Sequence, residues 1–360
     1  MTSKNSIART LGQMTRAILK WSLISLVSVA VLAFLAESYF KGQNAKRYPA
    51  PGQLYQVGEH KMHIWCEGSG EPAIVLDAGA SMFSSGWRWV MPELSTSTRV
   101  CAFDRSGLGW SEVSHPPYDG ISAANELNEL LKQAGVRSPF IYVGHSLGAN
   151  LGGIYHQQYP NDLSALIMLE PANPEIFLQE VGEDRGTAVV RGAPISDCGM
   201  RCVIVAFVSS LGVIDLALEQ IEAVNDPLYH AQALAEFKAR INRTQALQFL
   251  AQRGKYLTEI MFQSAQSKEY GDLPVAIFHA ENSGELLGDH TSPQQMLDDR
   301  EKGVLAYKSA LTLSSQSLGL TKISQANHLT MVAYEEPAKQ VSGRVLEILQ
   351  QLREQRFSAN

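Results

Sequence analysis

Apolar and polar residues follow three regimes along this chain. Ile18 to Ala36, ILKWSLISLVSVAVLAFLA, is apolar apart from Lys20 and several serines, close to the ~20 residues that cross a bilayer. From Gln53 the apolar residues come in short runs, rich in β-branched and aromatic side chains and closed by turn formers. These runs predict strands over 53–57, 61–66, 72–80, 99–103, 140–143, 165–169, 273–278 and 322–325. Helical spacing falls between several of them, at 121–134, in the small-residue stretch 149–153 and in the closing segment 340–351. Alternation of that kind predicts an α/β fold on a mainly parallel sheet.

The alternation stops from Ala172 to about Tyr270. Helical patterns replace it over 211–223, 228–240 and 245–263, many of their positions apolar. Open α/β sheets bind ligands outside the carboxyl ends of their strands, so helices inserted there are expected to form a cap. The run Val203 to Val208 is too short to span a bilayer; it reads as one wall of a pocket, with a surface that touches lipid as the alternative. The expected organisation is a cytoplasmic N-terminus (1–17), a transmembrane anchor (18–36), a linker (37–52), a first core part (53–171), the cap (172–270) and a second core part (271–360).

Within the strand at Phe140 to Val143 the apolar run ends abruptly, and Gly144-His145-Ser146-Leu147-Gly148 follows. This is G-x-S-x-G, the spacing that lifts a serine hydroxyl clear of a strand-to-helix turn. Glycine at 144 and 148 lets strand and helix pack against the turn. The Leu147 amide, at the start of the helix, is placed to meet a negative oxygen forming beside Ser146. The loop Ala78-Gly79-Ala80 after an earlier strand predicts the second such donor, the Ala80 amide. His145 adjoins the serine on a tight turn and diverges from it, so its expected part is supporting.

Near the far end, Ala326-Asn327-His328-Leu329-Thr330 follows the last predicted strand, which makes His328 the candidate base. His60 and His63, flanking what reads as an edge strand, and His279 and His290 are weaker candidates. Asp104-Arg105-Ser106-Gly107 is a turn whose acid and base are expected to pair with each other. DRSGLGWS, VGHSLG and the later strand and histidine segments together resemble the α/β-hydrolase family, and VGEHKMHIWCEGSGEPAIVLDAG is similar to its membrane-anchored bacterial members. The resemblance covers roughly 53–171 and 274–352. It implies an eight-stranded α/β-hydrolase sheet, a serine nucleophile and His328 as its base, with asparagine where the family usually has glycine before the histidine. Haloalkane dehalogenases and epoxide hydrolases of this fold carry aspartate at the nucleophile, against Ser146.

The triad acid is the departure. The family's usual place, a few residues beyond the penultimate strand, is occupied here by Ser283. A carboxylate is still needed to select the imidazole tautomer and stabilise the imidazolium. Glu170, at the tip of the strand after the nucleophile, is the first candidate, Glu281 the alternative, and Glu285 and Asp289 follow.

Composition narrows the classes. The net charge of −6 and the lack of a long basic run in the soluble part leave no electrostatic footprint for nucleic acid. There is no repeat and no C-x-x-C or H-E-x-x-H signature, so no metal or organic cofactor is expected. Lys4, Arg9, Arg16 and Lys20 precede or enter the apolar run, and Lys41, Lys46 and Arg47 follow it. That small bias puts the N-terminus in the cytoplasm and the catalytic part outside. Small residues at Ala30 and Ala33 leave a cleaved signal peptide as the competing view, with secretion as its result, but the apolar run continues past both. The four cysteines allow three pairings and two bridges in an oxidising space; Cys198 with Cys202 in CGMRC is the expected local pair, and buried thiols are the plainer reading of Cys66 and Cys101. The reading is a membrane-tethered serine hydrolase that cleaves an ester, amide or thioester of a hydrophobic or acyl substrate. The rival is a tethered ligand-binding protein on the same scaffold, and acyl transfer would use the same residues.

Overall fold

The computed structural model describes residues 2–80, 82–114, 117–174, 228–241, 256–266, 269–282 and 293–359. Eight strands form one sheet: β1 (Gln53–Val57), β2 (His60–Glu67), β3 (Ile74–Asp77), β4 (Val100–Phe103), β5 (Phe140–His145), β6 (Leu163–Leu169), β7 (Val275–Ala280) and β8 (Ser317–Ile323). They lie in the order β1-β2-β4-β3-β5-β6-β7-β8. Only β1–β2 and β2–β4 pair antiparallel, and every other pair is parallel.

Parallel strands need both faces covered, and their sequences provide for it. In β5, Ile141 and Val143 enter one apolar cluster while Phe140 and Tyr142 enter the other, the period-two alternation of a strand. One face is covered by the C-terminal helix Glu335–Ala359 through Val341, Val345, Ile348, Leu349 and Leu352. The opposite face is covered by α3 (Gly120–Gln133) through Ala124, Leu127, Leu130 and Leu131, and by α4 (Leu147–Gln158) through Ala149 and Tyr155. Asp119 sets where α3 begins, its carboxylate accepting the Ser122 amide at 2.7 Å.

Several boundaries differ from the sequence reading. β8 begins at Ser317, ahead of the expected 322–325; it is a half-exposed edge containing Gly319, so no apolar run marks it. The helix Pro293–Leu311 between β7 and β8 was not foreseen, because its charged first half carries no apolar stripe. Two cap helices are present, α5 (Ala231–Ile241) and a helical stretch over 256–266. The segments 211–223 and 203–208, and Cys198 and Cys202, lie outside the described residues. His63 belongs to the second strand of the sheet rather than to its edge and is fully buried.

The N-terminal helix α1 runs from Thr2 to Arg47, about 69 Å at 1.5 Å per residue. Its segment Gln13–Ala36 is long and apolar enough to cross a membrane, a property that anchors and signal sequences share. The helix continues through most of the expected linker and leaves Tyr48 to Gly52 as the connection to β1. That connection is held: the Tyr48 carbonyl accepts from Arg240 Nη2 at 2.6 Å and from the Trp110 indole at 3.2 Å.

Cys66 and Cys101 are not separate thiols. They stand directly opposite each other in the β2–β4 register and form a disulfide. The bridge closes a loop between residues 35 apart in sequence and limits the unfolded chain, so replacing both by alanine should lower the unfolding free energy by about 2–4 kcal/mol. Urea titrations of the double variant beside the oxidised protein measure this, and dithiothreitol should act in the same direction.

Candidate active site

The site starts from a backbone constraint. A Cβ on Gly144 would lie 2.4 Å from the Gly148 carbonyl oxygen, and one on Gly148 would lie 2.4 Å from the Asp77 carbonyl oxygen. Helix α4 therefore packs on the end of β5 at Gly144, and on the end of β3 at Gly148, too closely for a side chain at either position. The turn between them puts Ser146 at φ 54°, ψ −120°, a left-handed region costing on the order of 1–3 kcal/mol for a residue with a Cβ. The Ser146 amide donates to the Leu169 carbonyl at 2.9 Å, fixing the turn to the end of β6. No side-chain capping bond occupies the hydroxyl at the start of α4.

His328 reaches that hydroxyl from the loop after β8: its Nε2 lies 2.9 Å from Ser146 Oγ. The preceding asparagine explains itself locally. Asn327 Oδ1 accepts the Leu329 and Thr330 amides at 3.1 and 3.0 Å, and the Thr330 hydroxyl accepts the Asn327 amide at 2.8 Å. An asparagine can thus stand where the family's glycine usually does, because its side chain closes the turn.

Glu170 ends β6 as Ser146 ends β5, also at positive φ, 46°. Its amide donates to the Phe278 carbonyl at 2.7 Å, and the carboxylate is buried with Oε2 3.6 Å from His328 Nδ1. That exceeds a hydrogen bond but lies within reach of an ion pair. Just beyond, Asn150 of α4 brackets Ala172, donating to its carbonyl at 2.9 Å and accepting its amide at 3.1 Å.

Glu281 sits elsewhere. Its carboxylate accepts from Lys322 Nζ at 2.9 Å and from the Gln325 amide at 3.0 Å. Ser283, Glu285, Asp289 and His290 lie outside the described residues. His279 is buried in β7, its Nδ1 3.2 Å from the Ala280 carbonyl, and His60 lies 3.7 Å from Glu126.

The expected Asp104–Arg105 pair does not form. Asp104 accepts from the Ser84 and Trp110 amides, both at 2.8 Å, and from His63 Nδ1 at 3.0 Å. His63 Nε2 accepts the Gly52 amide, which leaves its proton on Nδ1. Gly109 follows from this arrangement, since a Cβ there would lie 2.2 Å from the Asp104 carboxylate. Arg105 turns the other way, to Asp77 and the loop after β3.

Behind His328 stands His145, whose Nε2 is 2.8 Å from the His328 carbonyl. A carbonyl only accepts, so the proton is on Nε2. Burial, and then the neighbouring His328, push the His145 imidazole down to about 3, and it is neutral at ordinary pH. It props the loop that carries His328, a supporting position.

Ser146, His328, Ala80 and Gly79 open on a cavity of about 410 Å³. Its core side is Met82, Phe83, Trp87 and Trp89, and its cap side is Tyr229, Leu234 and Phe237. Among the described residues, no group of His, Cys, Asp and Glu is placed to hold a metal ion.

Comparison with known proteins bears on the fold. Residues 72–187 match the family described as alpha/beta hydrolase fold. The chain has the α/β-hydrolase fold. Relatives include uncharacterized protein YbdG of Bacillus subtilis, 26% identical over 159 residues, 44% of this chain and 48% of that protein. Human monoacylglycerol lipase ABHD6 is 28% identical over 134 residues, 35% of this chain and 39% of that one. The matched part spans about half or less of such relatives' length. Among solved structures, a thermophilic esterase from Thermogutta terrifontis superposes with a TM-score of 0.54 at 17% identity, over 84% of this chain and 99% of the other. The epoxide hydrolase CorEH gives 0.56 at 16%, over 83% and 98%. At such identities the likeness is one of fold.

Helix α5 is held to the core by a contact that carries no mark in the sequence. Glu236 of α5 is buried and accepts from Ser85 Oγ at 2.6 Å, Arg88 Nε at 2.9 Å and Arg88 Nη2 at 2.5 Å. Charge residues about 150 positions apart carry no mark of their partnership. The partners are legible only once the fold brings α5 over the 3₁₀ turn Ser84–Trp87.

Acid stability carries the signature of His145. An ordinary imidazole takes its proton near pH 6.5 on unfolding, whereas the folded site resists protonation down to about 3. Between those values the unfolded state binds the extra proton, so stability should fall as pH falls, by up to about 1.4 kcal/mol per unit from this group. Denaturation curves between about pH 4 and 6 should show a shallower slope for His145→Asn by about one proton's worth.

Proposed function

We propose that this chain is a serine hydrolase that cleaves an ester, or an amide or thioester, of an apolar acyl group. The observation that carries the reading is the 2.9 Å contact between Ser146 Oγ and His328 Nε2 on the wall of an apolar cavity. In this mechanism His328 takes the hydroxyl proton as Ser146 Oγ attacks the carbonyl carbon. The oxyanion meets the Leu147 and Ala80 amides, and Glu170 stabilises the imidazolium. His328 then gives its proton to the leaving oxygen, and water, deprotonated in turn by His328, releases the acid and restores Ser146.

Serine rather than aspartate at the turn favours acyl chemistry over epoxide opening. The apolar walls, and the names of the human monoacylglycerol lipase and the Thermogutta terrifontis esterase, favour a hydrophobic ester. Glu170 is preferred to Glu281 as the acid because it alone of the two is near His328, with Glu281 engaged by Lys322. The apolar segment of α1 suits a single-pass anchor, with the catalytic part on the extracytoplasmic side, and the Cys66–Cys101 disulfide suits an oxidising compartment. The boundaries 18–36, 53–171, 172–270 and 271–360 remain the proposed organisation.

The 3.6 Å separation of Glu170 from His328 favours one alternative, a tethered ligand-binding protein with little turnover. Catalytic hydrogen bonds often tighten only once substrate is bound, and the enzyme reading is therefore preferred. A fluorophosphonate should label Ser146 in the folded protein; a folded, unlabelled Ser146 overturns the enzyme reading. Ser146→Ala should abolish ester turnover in a continuous p-nitrophenyl ester assay with little change in melting temperature. Glu170→Gln should lower kcat by several orders of magnitude, up to about 10⁴ as in the serine protease triad, and a loss under about tenfold would move the acid role elsewhere.

A further inference from the structure

Beneath the loop after β3 lies a charged pair that the mechanism above leaves unused. Arg105, buried at the end of β4, pairs through Nη1 with Asp77 and donates from the same nitrogen to the Ala78 carbonyl at 2.6 Å. Its Nη2 donates to the Gly79 carbonyl at 2.5 Å. Asp77 is held from the other side by the Tyr142 hydroxyl at 2.6 Å, so the acid is fixed to β5 as well as to Arg105.

The Gly79 carbonyl belongs to the peptide unit whose N–H is that of Ala80. That peptide is trans, and in a trans peptide the C=O and N–H point in opposite directions. With its oxygen anchored on the guanidinium, the unit aims its N–H away from Arg105. Gly79 itself lies against the nucleophile: a Cβ there would be 3.6 Å from the Ser146 Cβ and 3.2 Å from the His145 ring. We propose that Arg105 is a positioning residue for the oxyanion donor of Ala80, its planar fork fixing and polarising the Gly79–Ala80 peptide. A guanidinium suits this because its two terminal nitrogens hold the successive Ala78 and Gly79 carbonyls at once, where an ammonium gives only a point contact. The cation at the carbonyl end of the peptide also strengthens the N–H as a donor. Asp77 neutralises the charge that would otherwise be stranded in the core.

The inference rests on the serine hydrolase reading, and its test separates the two. The full chain in detergent is assayed with p-nitrophenyl butyrate and with two inhibitors. A trifluoromethyl ketone forms a tetrahedral oxyanion on Ser146, whereas the matching methyl ketone reports ground-state binding. Arg105→Lys keeps the charge and loses the fork. It should lower kcat by roughly 10²–10³, the range for loss of one oxyanion donor, with KM changed less than about threefold. Affinity for the trifluoromethyl ketone should fall in step with kcat, and affinity for the methyl ketone should hold.

Since a buried lysine can prevent folding, the pair variant Asp77→Asn/Arg105→Met removes both charges and should be equally slow. Either variant, folded, with kcat and the ratio of inhibitor affinities within about threefold of the parent overturns the proposal. Failure of both to fold would assign the pair to stability and overturn it too. A wild-type chain that hydrolyses no ester and leaves Ser146 unlabelled would instead bring down the underlying hydrolase reading.

Discussion

Helix α4 lies so close to the ends of β5 and β3 that Gly144, against its own helix, and Gly148, against the Asp77 carbonyl, have no room for a Cβ, and the site depends on that closeness. A strand can turn into a helix over so short a distance only if the residue between them takes a left-handed conformation, and here that residue is Ser146. The same strain recurs along the same edge. Among the described residues, the non-glycines at positive φ are Ser146, Glu170 and Gln325. The first two immediately follow β5 and β6, and the third lies two residues beyond β8 and three before His328. A sheet buried on both faces can hold such conformations, each costing on the order of 1–3 kcal/mol. They gather at the carboxyl end of the sheet, where side chains must leave it to converge on one point.

Convergence also needs polar groups in the interior, and three networks hold the ones beneath the site. Asp104 gathers His63 and two backbone amides beneath the glycine-rich turn. Asp77 takes Arg105 and Tyr142 beneath the loop after β3, and His145, kept neutral by burial, supports the loop of His328. A buried polar group without a partner costs on the order of 1–3 kcal/mol, so each network leaves the segment above it one low-energy arrangement. The three networks lie beneath separate pieces of the site and hold them in register without entering the reacting geometry.

What could be read in the sequence and what could not divide along physical lines. Strands buried on both faces, such as β5 and β6, carry their own signal, an unbroken apolar run closed by a turn. The half-exposed edge β8 carries none, and it was placed late. The nucleophile turn was legible because its constraint acts within five residues, Gly144 to Gly148. His328 was legible from its place after the last strand. Side-chain partnership was not: Asp104 and Arg105 are neighbours in sequence yet turn to opposite sides, because a turn directs successive side chains apart. Cys66 and Cys101 looked like separate thiols until the antiparallel β2–β4 register set them opposite each other.

Helix α5 shows how the cavity keeps its shape. On α5, Glu236 and Arg240 are four residues apart and share a face. Glu236 is fixed to Ser85 and Arg88 on the core, while Arg240 is fixed to the Tyr48 carbonyl and lies 4.8 Å over the Trp110 ring. Leu234 and Phe237, which close the cavity, lie within one helical turn of Glu236. Moving this wall outward would separate a buried ion pair, whose disruption costs about 3–5 kcal/mol when one charge is left behind. Through Arg240 it would also pull on the connection that leaves α1. The segment between the N-terminal helix and the first strand is thereby part of the structure that holds this cavity wall in place, and the apolar cavity over Ser146 is a fixed feature of the fold on this side.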